Sequence, residues 1–145
     1  MAVAIRPAQR DDLPALLALY RELNPDDPPL RAGIAEAVWQ RIRAQEGRTL
    51  LVADTGSEVV GTIDCCVQPN LTRGARSIMS LGNLVVAAAH RRSGVGARLL
   101  DHAIGIARSG GCYKAELLSA AQPPAHAFYE SQGFSASARG YRRYF

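Results

Sequence analysis

Arg91-Arg92-Ser93-Gly94-Val95-Gly96-Ala97 decides the reading of this chain, because of what lies on either side of it. Before it, Ser80-Leu81-Gly82-Asn83-Leu84-Val85-Val86 reads as a buried strand. After it, Val95, Leu99, Leu100, Ala103, Ile104 and Ala107 recur at helical spacing, which predicts an amphipathic helix. A strand that feeds a glycine turn and then a helix start collects free backbone N–H groups at one point. The helix dipole adds partial positive charge there, so the turn suits a phosphate or pyrophosphate. Glycine removes the Cβ that would hold an anion away from the backbone.

Three phosphate-loop patterns compete. A Walker A loop needs G-x-x-x-x-G-K-[ST], and no such run occurs. A dinucleotide fingerprint needs G-x-G-x-x-G, but Gly94-x-Gly96 is followed by Leu99 where the third glycine belongs. Glu116 stands near the place of a ribose-binding acid, yet inside the next apolar run, and the motif comes late in the chain. The acyl-CoA pyrophosphate pattern [QR]-x-x-G-x-[GA] is met at every defined position by Arg91, Gly94 and Gly96.

Downstream, Tyr113 to Ala120 reads as a further strand, and Gln122-Pro123-Pro124-Ala125-His126-Ala127-Phe128-Tyr129 opens a short helix that Gly133 ends. Strand, glycine turn, helix, strand and this helix, in that order, resemble the GNAT superfamily of N-acetyltransferases. Ala125, Phe128, Tyr129, Gly133 and Phe134 match its N-x-x-A-x-x-F-Y-x-x-x-G-F pattern, with Gln122 where Asn is usual. Ile5-Arg6-Pro7-Ala8 and Asp11-Asp12-Leu13 resemble the family's opening strand and helix, so the likeness covers nearly the whole chain.

Composition bounds the rest. At 145 residues the chain is expected to be one domain, 1–145, able to bury roughly two-thirds of its unfolded surface. A hydrophobic content of 48% with 21% charged residues excludes disorder. The net charge of +4 suits an anionic ligand, and basic runs interleaved with aromatics, as nucleic-acid binding would need, are missing. Cys65 and Cys66 are neighbours whose side chains point to opposite faces of a strand, so with Cys112 they read as free thiols of a reducing cytoplasm. No zinc-type Cys/His spacing occurs. The first ten residues predict no signal peptide, and no apolar run nears the roughly 20 residues of a membrane span.

The predicted elements are a strand at Val3 to Arg6 and a helix capped by Asp11 or Asp12, with Leu13, Leu16, Leu17, Tyr20 and Leu23 on one stripe. A helix from about Arg31 to Gln45 follows, then strands at Thr49 to Asp54, Glu58 to Gln68 and Ala75 to Val86. Phe134 to Ala138 and Tyr141 to Phe145 are expected to close the sheet as a hairpin. The order β-α-α-β-β-β-α-β-α-β-β gives α+β or α/β. The resemblance refines this to a GNAT fold: a mixed, mostly antiparallel sheet, helices on both faces, and a V-shaped splay between strands 4 and 5.

The resemblance also implies a chemistry. Acetyl-CoA would lie in the splay, with the backbone of Leu84, Val85 and Val86 pairing with its pantetheine amides. N–H groups of Arg92, Ser93, Gly94, Val95, Gly96 and Ala97 would bind the pyrophosphate, aided by the Arg91 and Arg92 side chains, with Gln122 also at the cofactor. Backbone N–H groups at the end of the Leu84–Val86 strand would stabilise the oxyanion, and Tyr129 would be the general acid at the thiol. Gly82 stands where some relatives carry a glutamate base. Asp64, Glu116, His126 or a water chain then remain for the amine's proton. No metal and no cysteine intermediate are implied, and homodimers are common in the family.

The acceptor side would draw on Asp26, Asp27, Trp39, Arg139, Tyr141, Arg142 and Arg143. Acids favour a cationic amine, and the arginines favour an amine bearing carboxylate or phosphate. Gly111-Cys112-Tyr113-Lys114 resembles glucosamine-phosphate acetyltransferases. The leading expectation is a small-molecule N-acetyltransferase. Acetylation of a protein N-terminus or lysine is a second reading, and a non-catalytic acyl-CoA-binding module is a third.

Overall fold

The computed structural model describes residues 2–119 and 123–145. Its five strands are β1 (Ala4–Pro7), β2 (Arg48–Asp54), β3 (Val59–Gln68), β4 (Ser77–Val86) and β5 (Cys112–Glu116). They form one sheet in sequential order, antiparallel from β1 to β4, with β5 parallel to β4. Helices α1 (Leu13–Leu23) and α2 (Ile34–Ala44) precede β2; α3 (Val95–Ser109) joins β4 to β5, and α4 (Pro123–Ser131) follows. A parallel pair needs a crossover, and α3 supplies it.

Alternation along the strands sorts side chains to two cores. Leu51, Ala53, Ile63, Cys65, Met79 and Leu81 meet Val95, Leu99, Leu100, Ala103 and Ala107 of α3, five of the six residues its spacing predicts, with Ile106 packed there in place of Ile104. On the other face Leu50 and Val52 pack with Leu16 of α1 and Trp39 of α2. Trp39, expected on the acceptor side, packs into this second core at 6% exposure and also lines a cleft with Pro7, Ile42 and Arg48. Of the predicted α1 stripe, Leu13, Leu16 and Tyr20 pack in this core; Leu19 is buried too, while Leu23 at the helix end is exposed. No described helix is long and apolar enough to cross a membrane.

Asp12 does not cap α1 with its side chain. Its carboxylate accepts the Gln9 N–H at 2.7 Å and both terminal nitrogens of Arg6 at 2.8 and 2.9 Å, so it ties β1 to the start of α1. Arg6 hydrogen bonds, outweighing burial, hold this carboxyl below its ordinary range. The stability it confers is therefore present above the unfolded carboxyl pKa of about 4 and lost as pH falls through the lower folded value. Asp12→Asn is expected to cost about 2 kcal/mol at pH 7. Urea unfolding at pH 7 and pH 3 should show the gap between the two proteins narrowing in acid.

The expected closing hairpin does not form: residues 134–145 contain no strand, and Tyr141, Tyr144 and Phe145 are exposed. A two-stranded ribbon is marginal by itself. Ser135, Ser137, Arg139 and Gly140 give this one little to bury. The predicted strand to Ala120 also stops early, at Glu116, while Ala120 lies outside the described residues.

Candidate active site

The early end of β5 creates the site. Pairing between β4 and β5 runs only from Ser77 opposite Cys112 to Ser80 opposite Glu116. Beyond Ser80, β4 continues to Val86 with β3 on one side and, among the described residues, no strand on the other. The outer edge of Leu81 to Val85 is thus an open backbone edge, which an extended, amide-bearing ligand can join as a strand would, while the Val86 carbonyl is taken by Arg91. Within it Asn83 takes φ +49°, and the β3–β4 register slips between Thr62 and Asp64. The irregularity shifts the alternation by one, as a bulge does, so Leu84 and Val86 turn to the α3 core.

The open edge runs directly into the glycine turn. Residues 91–94 are exposed, and Gly94 precedes α3 with φ +84°. A Cβ on Gly94 would meet no atom within 4 Å, so the space above it is open. The first N–H of this stretch to find an acceptor is that of Arg98, bonded to the Gly94 carbonyl at 3.1 Å. None of the six backbone N–H groups of residues 92–97 has a partner among the described residues. Six unpaired donors at a helix N-terminus make an anion cradle.

The two arginines divide. Arg91 turns back: its Nε donates to the Val86 carbonyl at 3.0 Å and its Nη2 lies 3.8 Å from Glu22 of α1. Glu22 also accepts the Ala88 N–H at 3.1 Å, so Arg91 braces the end of β4 against α1. Arg92, with φ +61°, makes no ion pair among the described residues and remains available to an anion. Ser93 donates its hydroxyl to the His90 carbonyl and shapes the turn.

Gly96 serves α4. A Cβ there would lie 3.3 Å from Cζ of Phe128 and 3.8 Å from Val86, so the missing side chain lets α4 dock on the start of α3. The next residue, Tyr129, packs edge-on against Phe128 at 5.3 Å and Phe134 at 6.1 Å between centroids. Burial pushes its phenol up, which keeps the proton on the oxygen at neutral pH. The phenol-bearing helix, the cradle and the open strand edge meet at one end of the sheet. Gln122 lies outside the described residues.

Of the three side chains considered for the amine's proton, two are exposed on the surface. Glu116 is exposed and ion-paired with Lys114 at 2.8 Å, and His126 is exposed on α4. Asp64 differs: its side chain is 14% exposed and lines an open cleft of about 260 Å³ with Arg48 and Gly82. Asp26, Asp27, Arg139, Tyr141, Arg142 and Arg143 are all exposed. Cys65 is buried, its thiol pushed up to about 12 by burial, while Cys66 on the opposite face lines the Asp64 cleft.

Comparison with known proteins agrees with this geometry. Residues 14–134 match the acetyltransferase (GNAT) family. The chain is 30% identical over 138 residues to a glucosamine 6-phosphate N-acetyltransferase of Trypanosoma brucei brucei, covering 95% of this chain and 92% of the relative. A solved structure from Agrobacterium tumefaciens str. C58, described as an acetyltransferase, superposes with a TM-score of 0.94 at 40% identity, covering 98% of this chain and 99% of that one. The glucosamine-6-phosphate N-acetyltransferase of Arabidopsis thaliana, at 18% identity, shares the fold with a TM-score of 0.89 over 100% of this chain and 99% of its own. The chain belongs to the acetyltransferase (GNAT) family.

Proposed function

We propose that this chain, as one N-acetyltransferase domain, moves the acetyl group of acetyl-CoA to the primary amine of a small molecule by direct attack in a ternary complex. The observation that carries this reading is the row of unpaired N–H groups at residues 92–97, continuous with the open edge of β4. A pyrophosphate fits the first, and the amide-rich pantetheine arm fits the second. Arg92 adds a forked donor for phosphate.

Acetyl-CoA would supply an activated thioester; the protein's own groups do the rest. The amine nitrogen bonds to the acetyl carbon as the carbon–sulfur bond breaks. N–H groups at the end of β4 offer donors to the carbonyl oxygen as it gains charge. The Tyr129 phenol gives its proton to the departing sulfur, the nitrogen's surplus proton leaves to solvent, and the phenolate takes a proton back from solvent. The three unpaired thiols fit a reducing compartment such as the cytoplasm.

The named relative acts on glucosamine 6-phosphate, which makes that amine the first acceptor to test. Purified protein with acetyl-CoA and a panel of glucosamine 6-phosphate, glucosamine, spermidine and a lysine peptide is expected to release free thiol with a small amine. Turnover of the peptide alone would move the reading to protein acetylation. Acetyl-CoA binding with no turnover would move it to a binding module.

A further inference from the structure

We propose that the Arg48–Asp64 pair orients the acceptor, Asp64 accepting a hydrogen bond from its amine N–H in the space that Gly82 leaves open. This rests on the transferase reading and assigns the acceptor's amine a place. Asp64 on β3 stands directly opposite Gly82 on β4. Opposed residues of an antiparallel pair project to the same face. Here that is the face away from α3, since Ile63 and Cys65 on either side of Asp64 enter the α3 core. A Cβ on Gly82 would meet nothing within 4 Å, so the ground beside the carboxylate is vacant.

Arg48 fixes that carboxylate. Its Nε donates to one oxygen at 3.1 Å and its Nη2 to the other at 2.6 Å, a bidentate grip that sets the carboxylate plane. Each oxygen keeps a further lone pair for a ligand N–H. Gln45 donors and acceptors, Ser80 and Cys66 complete the cleft, with Gln45 also accepting from Arg48 at 3.1 Å. Asp64's charge contributes, after burial, to raising the phenol of Tyr20 on α1, which places that ring near the pair as well.

The position relative to the reaction follows from β4 itself. The strand has β3 and Asp64 on one side and, from Leu81 onward, the open edge on the other. Neighbouring strands lie about 4.8 Å apart, so a ligand on that edge is about 10 Å from β3, and an amine reaching from Asp64 over Gly82 lies about midway to it. Glu116 and His126 offer no such enclosed carboxylate or partner. Asp64 is thus a positioning and specificity group: its loss should weaken acceptor binding more than it slows the chemical step.

The test uses whichever of glucosamine, glucosamine 6-phosphate and spermidine the native protein turns over fastest. Asp64→Asn is expected to raise the acceptor KM at least tenfold, with acetyl-CoA affinity within twofold of native. Adding Gly82→Glu to Asp64→Asn, which returns a carboxylate from the opposite strand, is expected to recover at least threefold of that loss. Gly82→Leu, which fills the vacant space but spares the pair, should raise KM similarly and serves if Asp64→Asn fails to fold. An unchanged acceptor KM in Asp64→Asn or Gly82→Leu overturns the proposal while native turnover upholds the transferase reading. Acetyl-CoA binding with no amine turned over by the native protein overturns both.

Discussion

Tyr129→Phe is expected to lower turnover by about 10²- to 10³-fold while acetyl-CoA affinity stays within twofold of native. The ring's packing survives the change, because its contacts with Phe128 and Phe134 are made by carbon. What is lost is one hydroxyl that burial keeps protonated at neutral pH. A group that serves the departing sulfur acts in the transition state and little in the ground state. Its removal therefore lowers kcat and kcat/KM together. Steady-state kinetics beside a calorimetric titration separate the two quantities. Native turnover in Tyr129→Phe would remove the phenol from the chemistry.

Gly96→Glu is expected to weaken acetyl-CoA binding at least 100-fold. The Cβ alone would stand 3.3 Å from Phe128, and the longer side chain has to displace that ring and the helix that carries it. It also sets a negative charge in the first turn of α3, where an anionic ligand needs the unpaired N–H groups. Gly94→Ala makes an instructive contrast. Nothing lies near its Cβ, so its cost is the left-handed backbone, about 1–2 kcal/mol of stability, plus one methyl group over the cradle. Binding should weaken far less than with Gly96→Glu. Native affinity in a folded Gly96→Glu protein would place the anion site elsewhere.

The sequence is most informative where the chemistry is local. Strand, glycine turn and helix follow each other between Ser80 and Ala107, and the spacing of Val95, Leu99, Leu100, Ala103 and Ala107 marks the buried face of α3 directly. The end of β5 is not local. Leu117 and Leu118 continue an apolar run past Glu116, yet pairing with β4 ends at Ser80 opposite Glu116, although β4 itself runs on to Val86. The irregularity at Asn83 is hidden for the same reason: Ser80 to Val86 reads as one strand, and the slip in alternation shows only against β3.

Side-chain roles followed this division. Gly94 and the unpaired N–H groups occupy the places the motif predicts, while Arg91 bends to Val86 and to Glu22, a partner 69 positions earlier that no spacing rule reveals. Alternation sets Asp64 and Glu116 in strands alike. Which of them borders a cleft depends on Gly82 across the sheet and on Arg48 from β2, both tertiary facts. The C-terminal hairpin fails because alternation without a facing edge does not hold two short segments together.

Calorimetric titration of the purified protein with acetyl-CoA, beside dephospho-coenzyme A and ATP, tests the cradle and the open strand edge together. Micromolar binding of acetyl-CoA is expected, with dephospho-coenzyme A close to it because it keeps the pyrophosphate and the pantetheine arm. ATP should bind more weakly, since it has no amide-bearing arm to join β4. A folded protein that binds neither acetyl-CoA nor dephospho-coenzyme A would contradict this: the turn at Arg91 to Ala97 would then be a strand-to-helix connection and nothing more.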